Sequence, residues 1–243
     1  MGGLMDTAEG ELARRRAAVA AGTTDLTRWL DETQYEPGWQ VRSVRAVELA
    51  KGARWFCDIG CGPQFLRRLL PPGSVYLPAD LRRWTPDTAE IELNAGRLPI
   101  TYLELSDVCF LLGVLEYLLD VEGFLRVLRP RVDRVVISYN PAELVPDDRA
   151  AMGWLNALTT EQLRETFHRG GMELEHLEQL GGTQVLGCAR GRRSGLARAV
   201  LPLRRALFLK ARGETSGSCA RGAHFRATNT NCGSPRCAYS RDQ

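Results

Sequence analysis

Two carboxylates and two glycines, closely spaced, carry most of the chemistry this sequence makes available. The stretch Arg54-Trp55-Phe56-Cys57-Asp58-Ile59-Gly60-Cys61-Gly62-Pro63 reads as a short buried strand that ends in an acid and then in a glycine turn. A strand, glycine turn and helix in succession bring backbone N–H groups up to a ligand, and a Cβ in the turn would hold that ligand off. Asp80 lies 22 residues after Asp58, at the end of a second strand over residues 74–80, with Leu81 beside it. A carboxylate about 20 residues beyond a glycine turn is placed to accept from both hydroxyls of a ribose. The commonplace alternative for such an aspartate is a turn or a helix cap.

The identity of the residues around the turn discriminates between ligands. The dinucleotide fingerprint G-x-G-x-x-G fits Gly60 and Gly62 but puts Phe65 at its third position, where close packing around a pyrophosphate needs glycine. Asp58, two residues ahead of the first glycine, suits a cationic ligand instead. S-adenosylmethionine (AdoMet) carries a sulfonium and an ammonium and no phosphate. Asn94, at the end of a third strand, is placed to meet an adenine edge, with a turn asparagine as the bland alternative. Any proton-accepting group would come from the later strand ends, where Glu116, Tyr117, Tyr139 and Asn140 lie.

The elements that must position these residues alternate. Residues 6–21 are rich in Ala, Arg and Glu and favour a helix, and Thr24 is a suitable N-cap for a second helix through Trp29 and Leu30. Residues 41–49 are apolar at helical spacing, which predicts a packing helix, a position over the ligand being the other option. A short helix over 64–70 should follow the first strand and stop at Pro71-Pro72-Gly73. Pro78 sits awkwardly in the second strand, because it cannot donate to a ladder. Residues 89–93 predict a third strand, and the apolar run 106–113 a central fourth. Asp120 is a cap for a helix whose apolar face is Val121, Phe124, Leu125 and Leu128, and residues 135–139 form a fifth strand. Residues 142–158 are irregular and read as a lid or substrate-side insertion. Thr159 or Thr160 caps the next helix, and two strands over 172–180 and 183–190 are joined by Gly181-Gly182 as a hairpin.

Composition sets outer bounds. A chain of 243 residues with 44% hydrophobic and 25% charged residues is an ordinary soluble one, with room for a single domain of about 150–200 residues plus extensions. No apolar run reaches the roughly 18–20 residues of a membrane span, and the N-terminus lacks a signal-peptide core, so a cytoplasmic setting is expected. The net charge of +3 hides an asymmetry: residues 191–243 carry a net +9 and the rest −6. That predicts an acidic domain with a basic tail, divided as a helical extension 1–39, a domain 40–190, a basic helix or linker 191–212 and a disordered tail 213–243. The segment 192–211 reads as a solvated or domain-capping helix, with membrane-surface contact as the alternative. Cys57, Cys61, Cys109 and Cys188 read as buried thiols. Cys219, Cys232, Cys237 and His224 match no common zinc spacing, so no metal is expected.

Taken in order, these pieces resemble the class I AdoMet-dependent methyltransferases. The matching residues are Asp58-Ile59-Gly60-Cys61-Gly62, then Asp80, then Asn94-Ala95-Gly96-Arg97-Leu98-Pro99, then the run from Ser106-Asp107 to Leu115-Glu116-Tyr117, and the closing hairpin. The resemblance spans roughly residues 40–190. It implies an α/β fold with a Rossmann-like seven-stranded sheet in the order 3-2-1-4-5-7-6, its last strand antiparallel, and a ligand at the strands' carboxyl ends. It implies further that Gly60, Cys61 and Gly62 approach the methionine part, Asp58 the ammonium group, Asp80 and Leu81 the ribose side, and Asn94 the adenine. Gly113 and Val114 would line the methionyl side. Two residues depart from the pattern: Gln64 stands where a third glycine is usual, and Asn94 replaces an acid. The implied activity is methyl transfer to an O or N of a small molecule or glycan precursor. A non-catalytic AdoMet-fold module and an NAD-dependent oxidoreductase are the alternatives. A nucleic-acid acceptor is disfavoured, since the domain is acidic and Asn140-Pro141-Ala142-Glu143 lacks an aromatic residue, though the basic tail keeps RNA binding open.

Overall fold

The apolar stretch Val108–Leu112 (β4) is the middle strand of a seven-stranded sheet in the computed structural model, which describes residues 2–30, 39–146 and 148–213. Beside it run Trp55–Ile59 (β1) and Arg134–Tyr139 (β5), both parallel to it. Every residue of β1 and β4 is buried, as befits parallel strands covered on both faces. Val75–Asp80 (β2) and Ala89–Glu90 (β3) extend the sheet on one side, and Glu173–Leu180 (β6) and Gln184–Arg190 (β7) on the other. The order is β3-β2-β1-β4-β5-β7-β6, with β7 antiparallel to both β5 and β6. This is the topology that the resemblance implies.

Alternation along β4 divides the core into two layers. Cys109 and Leu111 face one side, packed with Ile100–Leu105 (α4), Val121–Leu128 (α5) and Thr160–Arg169 (α6) through Leu103, Phe124, Leu125, Leu128, Leu163 and Phe167. Val108, Phe110 and Leu112 face the other, where Ala46 of Trp39–Leu49 (α3), Phe56 and Leu66 join them. The caps follow from the sequence: Asp120 accepts from the Gly123 N–H at 2.7 Å at the head of α5, and Thr159, not Thr160, forms a reciprocal capping box with Gln162. Two helices precede α3, Gly2–Ala20 (α1) and Leu26–Leu30 (α2). The expected cap Thr24 lies one residue too early. Asp25 takes its place, accepting from the Thr27 N–H at 3.1 Å.

Several expectations shrink on inspection. The helix after β1 is only a 3₁₀ turn over Phe65–Arg68, because Gln64 at its head sits in the left-handed region and Pro71-Pro72 bars extension. β3 keeps two residues of the expected five, since the chain curls back in a bridge between Glu92 and Arg97. The loop between β6 and β7 has three residues, Gly181, Gly182 and Thr183. Pro78 is tolerated because β3 pairs with β2 only at Ala79 and Asp80. The Ala79 carbonyl points toward β1, where it accepts from Gly60, so the Pro78 nitrogen faces the uncovered edge.

The chain divides into two compact units, Met1–Arg205 and Ala206–Gln243. The N-terminal helices therefore belong to the unit that holds the sheet. The boundary falls within Gly195–Ala211 (α7), which carries Pro202 inside it. Up to Arg205 this helix is tied down: Arg198 pairs with Asp133, Arg204 with Glu104, and Arg205 with Asp107 at 2.6 Å. The expected disordered tail and its cysteines lie outside the described residues beyond Gly213. No helix among the described residues is long and apolar enough to cross a membrane.

The turn after β1 tests this packing. Gly60 has φ +71°, and a Cβ there would lie 2.6 Å from Val114 Cγ2, whereas Gly96, with φ +74°, faces open space. Gly96→Ala should cost about 1–2 kcal/mol from backbone strain alone. Gly60→Ala should cost about 1–3 kcal/mol more through overpacking. Urea denaturation midpoints read the difference, and equal losses would show that the turn is not tightly packed.

Candidate functional site

A cavity of about 350 Å³ opens at the carboxyl ends of the strands, where the strand order reverses between β1 and β4. The candidates Asp58, Gly60, Cys61, Gly62, Asp80, Leu81, Asn94, Gly113, Val114, Glu116 and Tyr117 all line it. Tyr139 does not. It is fully buried, its hydroxyl donates to Asn156 Oδ1 at 2.6 Å, and it accepts from the Leu158 N–H at 2.8 Å. Tyr139 thus corrects the expectation: it holds Asn156 and Leu158, in the expected insertion 142–158, rather than facing a substrate. That segment is no free lid, for the Leu155 N–H donates to the Glu116 carbonyl at 2.8 Å and Arg149 donates to the Asn140 carbonyl at 2.9 Å.

The glycine turn behaves differently from a phosphate cradle. The Gly60 and Cys61 N–H groups both donate to the Ala79 carbonyl, at 2.8 and 3.3 Å. The Gly62 N–H donates to Asp80 Oδ2 at 2.7 Å, and the Gln64 N–H to the Cys61 carbonyl at 2.9 Å. The expectation that the turn offers N–H groups is therefore corrected: those of Gly60, Cys61, Gly62 and Gln64 are all engaged within the protein. Asp80 Oδ1 accepts from the Leu81 N–H at 2.7 Å, so Asp80 clasps the turn while lining the cavity. Burial pushes its pKa up, and the backbone donors oppose the shift.

Gln64 and Asn94 find specific employment. Gln64 has φ 62°, the one non-glycine residue with positive φ among those described. That conformation costs about 1–2 kcal/mol outside glycine. Its amide offsets the strain by donating to Thr85 and Thr88 Oγ1, at 2.8 and 3.1 Å, and accepting from Arg67 at 3.0 Å. Asn94 was expected to present its amide to adenine. Instead Nδ2 donates to the Tyr117 carbonyl at 2.8 Å, and Oδ1 accepts from the Leu119 N–H at 3.0 Å. It bridges two loops at the cavity rim.

Three buried charges face the cavity. Asp58 is 3% exposed and accepts from the Tyr76 hydroxyl at 2.5 Å. Burial raises its pKa to about 7; Asp80 adds to the rise, while the Tyr76 hydrogen bond and Arg42 oppose it. Glu116 is fully buried. Its Oε1 accepts from the Asn140 N–H and Nδ2 at 2.9 and 3.1 Å, and Oε2 has no partner among the described residues. Burial raises its pKa as well.

The third charge, Arg42 on α3, went unnoticed in the sequence. Its guanidinium lies over the Trp39 ring at 5.1 Å, and its Nε is buried with no hydrogen-bond partner among the described residues. Burial lowers its pKa, with Glu116 and Asp58 pulling the other way. No carboxylate lies within ion-pair distance of it among the described residues. A signal was present: Trp39, Arg42, Ser43 and Ala46 share one helical stripe, so an arginine occupies the buried face. Accordingly α3 lies over the cavity, and its apolar Val41 and Val44 are exposed instead.

The outer wall is aromatic. Trp29, Trp39, Tyr117 and Trp154 all line the cavity, from α2, α3, the turn after β4 and the 141–158 segment. Trp29 meets Tyr117 edge-on with centroids 5.3 Å apart, and the Trp154 indole N–H donates to the Tyr117 hydroxyl at 3.2 Å.

No protein-family model matches the sequence, and no curated protein matches it. Solved structures do. The mitomycin 7-O-methyltransferase MmcR is 15% identical, with 76% of this chain and 67% of that one covered at a TM-score of 0.55. A candidate O-methyltransferase from Nostoc punctiforme is also 15% identical, covering 74% and 68% at 0.55. The 8-amino-8-demethyl-D-riboflavin dimethyltransferase of Streptomyces davawensis is 21% identical, covering 65% and 55% at 0.49. The chain spans about half to two thirds of the length of the structures it matches. The fold is that of the class I AdoMet-dependent methyltransferases.

Asp58 gives a stability signature. Its raised folded pKa means that the native state holds a proton which the unfolded chain has lost, so its contribution is full below about pH 4 and is lost as pH rises to about 7. Asp58→Asn should therefore stabilise the ligand-free protein by roughly a few kcal/mol at about pH 8 and little near pH 4. Denaturant titrations at the two pH values check this, and an equal effect at both would show that Asp58 is not held by burial.

Proposed function

We propose that this protein is an AdoMet-dependent methyltransferase acting on an O or N of a small molecule. One observation carries the reading: the carboxylate of Asp58 and the guanidinium of Arg42, whose Nε has no partner among the described residues, line the same cavity beside a glycine turn with no N–H to offer. An amino-acid head group satisfies both charges, its ammonium at Asp58 and its carboxylate at Arg42. Asp80 at the end of β2 serves the ribose hydroxyls. NAD is disfavoured, since a pyrophosphate needs free N–H groups and a helix N-terminus, and the chain supplies a four-residue 3₁₀ turn there.

AdoMet, when bound, supplies a methyl group on a sulfonium that is already an activated leaving group. The protein's own task is then mainly to position the acceptor, worth up to about 7–11 kcal/mol in favourable cases. Glu116 accepts the acceptor's proton at Oε2, the carboxylate oxygen with no partner among the described residues. Burial raises its pKa, which makes the carboxylate a stronger base than an exposed one. Arg42 helps keep it ionised.

Calorimetric titration with AdoMet and with NAD tests the binding claim. Arg42→Ala and Asp80→Ala should each weaken AdoMet by about 1–3 kcal/mol. Tighter binding of NAD, or an Arg42→Ala protein that binds AdoMet normally, would sink the reading. Glu116→Gln should lower methyl transfer from labelled AdoMet into a small-molecule extract by about 100-fold or more, with AdoMet affinity kept. Unchanged transfer would remove Glu116 as the base.

A further inference from the structure

We infer that the methyl acceptor is a planar aromatic compound with an anionic substituent, stacked in the box of Trp29, Trp39, Tyr117 and Trp154 with its anion at Arg28. This rests on the methyltransferase reading of the same cavity. That reading employs Asp58, Arg42, Asp80 and the strand ends, and leaves the aromatic wall unexplained. Four large rings from four separate chain segments converge there. Trp29, Trp39 and Tyr117 are only partly buried, so the sheet core does not account for them.

Their mutual geometry is fixed. Trp29 stands at 90° to Tyr117, and Trp39 tilts at 46° to Trp29 with centroids 6.4 Å apart. Trp154 is anchored twice, by its N–H on the Tyr117 hydroxyl and by Arg149 over its ring at 4.5 Å. Rings held at such angles present faces and edges to a flat guest, and an aromatic guest gains more from them than a saturated one of equal area. A preformed pocket lined by rings with a few placed polar groups is also what a small ligand needs.

Charge narrows the class. Arg28 lines the cavity, lies over the Trp29 ring at 4.7 Å and donates to the Met152 carbonyl. Its Nε is buried without a partner among the described residues. No carboxylate pairs with it among the described residues. A guanidinium that lies over one ring and has no carboxylate partner among the described residues favours a guest that brings a carboxylate or phenolate to it.

The test uses the full chain with S-adenosylhomocysteine bound and follows tryptophan fluorescence. The probes are a hydroxybenzoate, a hydroxynaphthoate, the corresponding neutral phenol and naphthol, and a hydroxycyclohexanecarboxylate. The two aromatic acids should bind saturably and at least about fivefold tighter than the neutral and saturated analogues. Trp29→Leu should abolish the preference for aromatic over saturated acid, and Trp29→Phe should restore most of it. Arg28→Gln should abolish the preference for acid over phenol. Thermal midpoints and AdoMet calorimetry on the same variants confirm that fold and donor site are intact. Equal binding of saturated and aromatic acids overturns the inference, as does an absence of aromatic binding in a protein that binds AdoMet. A protein that binds no AdoMet overturns the methyltransferase reading, and this inference with it.

Discussion

The clasp between Asp80 and the Gly62 N–H, at 2.7 Å, is the interaction on which the site depends. It ties the end of β2 to the turn that leaves β1, and the Ala79 carbonyl completes the tie by accepting from Gly60 and Cys61. The turn is thereby shaped before any ligand arrives. The same bonds decide what kind of ligand can come. Three consecutive N–H groups that could have faced a phosphate are engaged within the protein, and the carboxylates Asp58 and Asp80 line the cavity beside them. A cation is welcome there and a pyrophosphate is not.

Against that floor stands Arg42. A buried guanidinium without its full set of partners is costly. The fold keeps it in view of Asp58 and Glu116, but no ion pair closes between them. Opposite charges held apart across a cavity leave room for a zwitterion between them. The left-handed Gln64 belongs to the same design: Thr85, Thr88 and Arg67 hold a strained residue at the rim of the turn, where glycine would have been cheaper in backbone terms but would hold nothing.

Much of this was legible in the sequence, because β1, β4 and β5 are short apolar runs that end in chemically distinctive residues. Asp58, Gly60, Gly62 and Asp80 announce themselves by type and spacing, and the caps at Asp120 and Thr159 are local chemistry. Partnership was not legible. Asn94 and Tyr139 sit at strand ends, as expected, yet their polar atoms are engaged by Leu119 and by Asn156, which lie 25 and 17 residues away. Arg42 was hidden because the apolar residues of α3 drew attention to the face that turned out to be exposed. The aromatic box was hidden because Trp29 and Trp39 lie far along the chain from Tyr117 and from Trp154, and only the fold brings them together.

The central claim, that Asp58 receives the ammonium of a zwitterionic donor, is tested most directly by proton release on AdoMet binding. Calorimetric titrations at about pH 6, in two buffers of different ionisation enthalpy, count the protons. A carboxyl whose pKa lies at about 7 is mostly protonated there and must lose its proton to pair with a cation. The expected result is release of nearly one proton at about pH 6, falling toward zero near pH 8, and its absence in Asp58→Asn. Binding with no proton release at about pH 6 would contradict it.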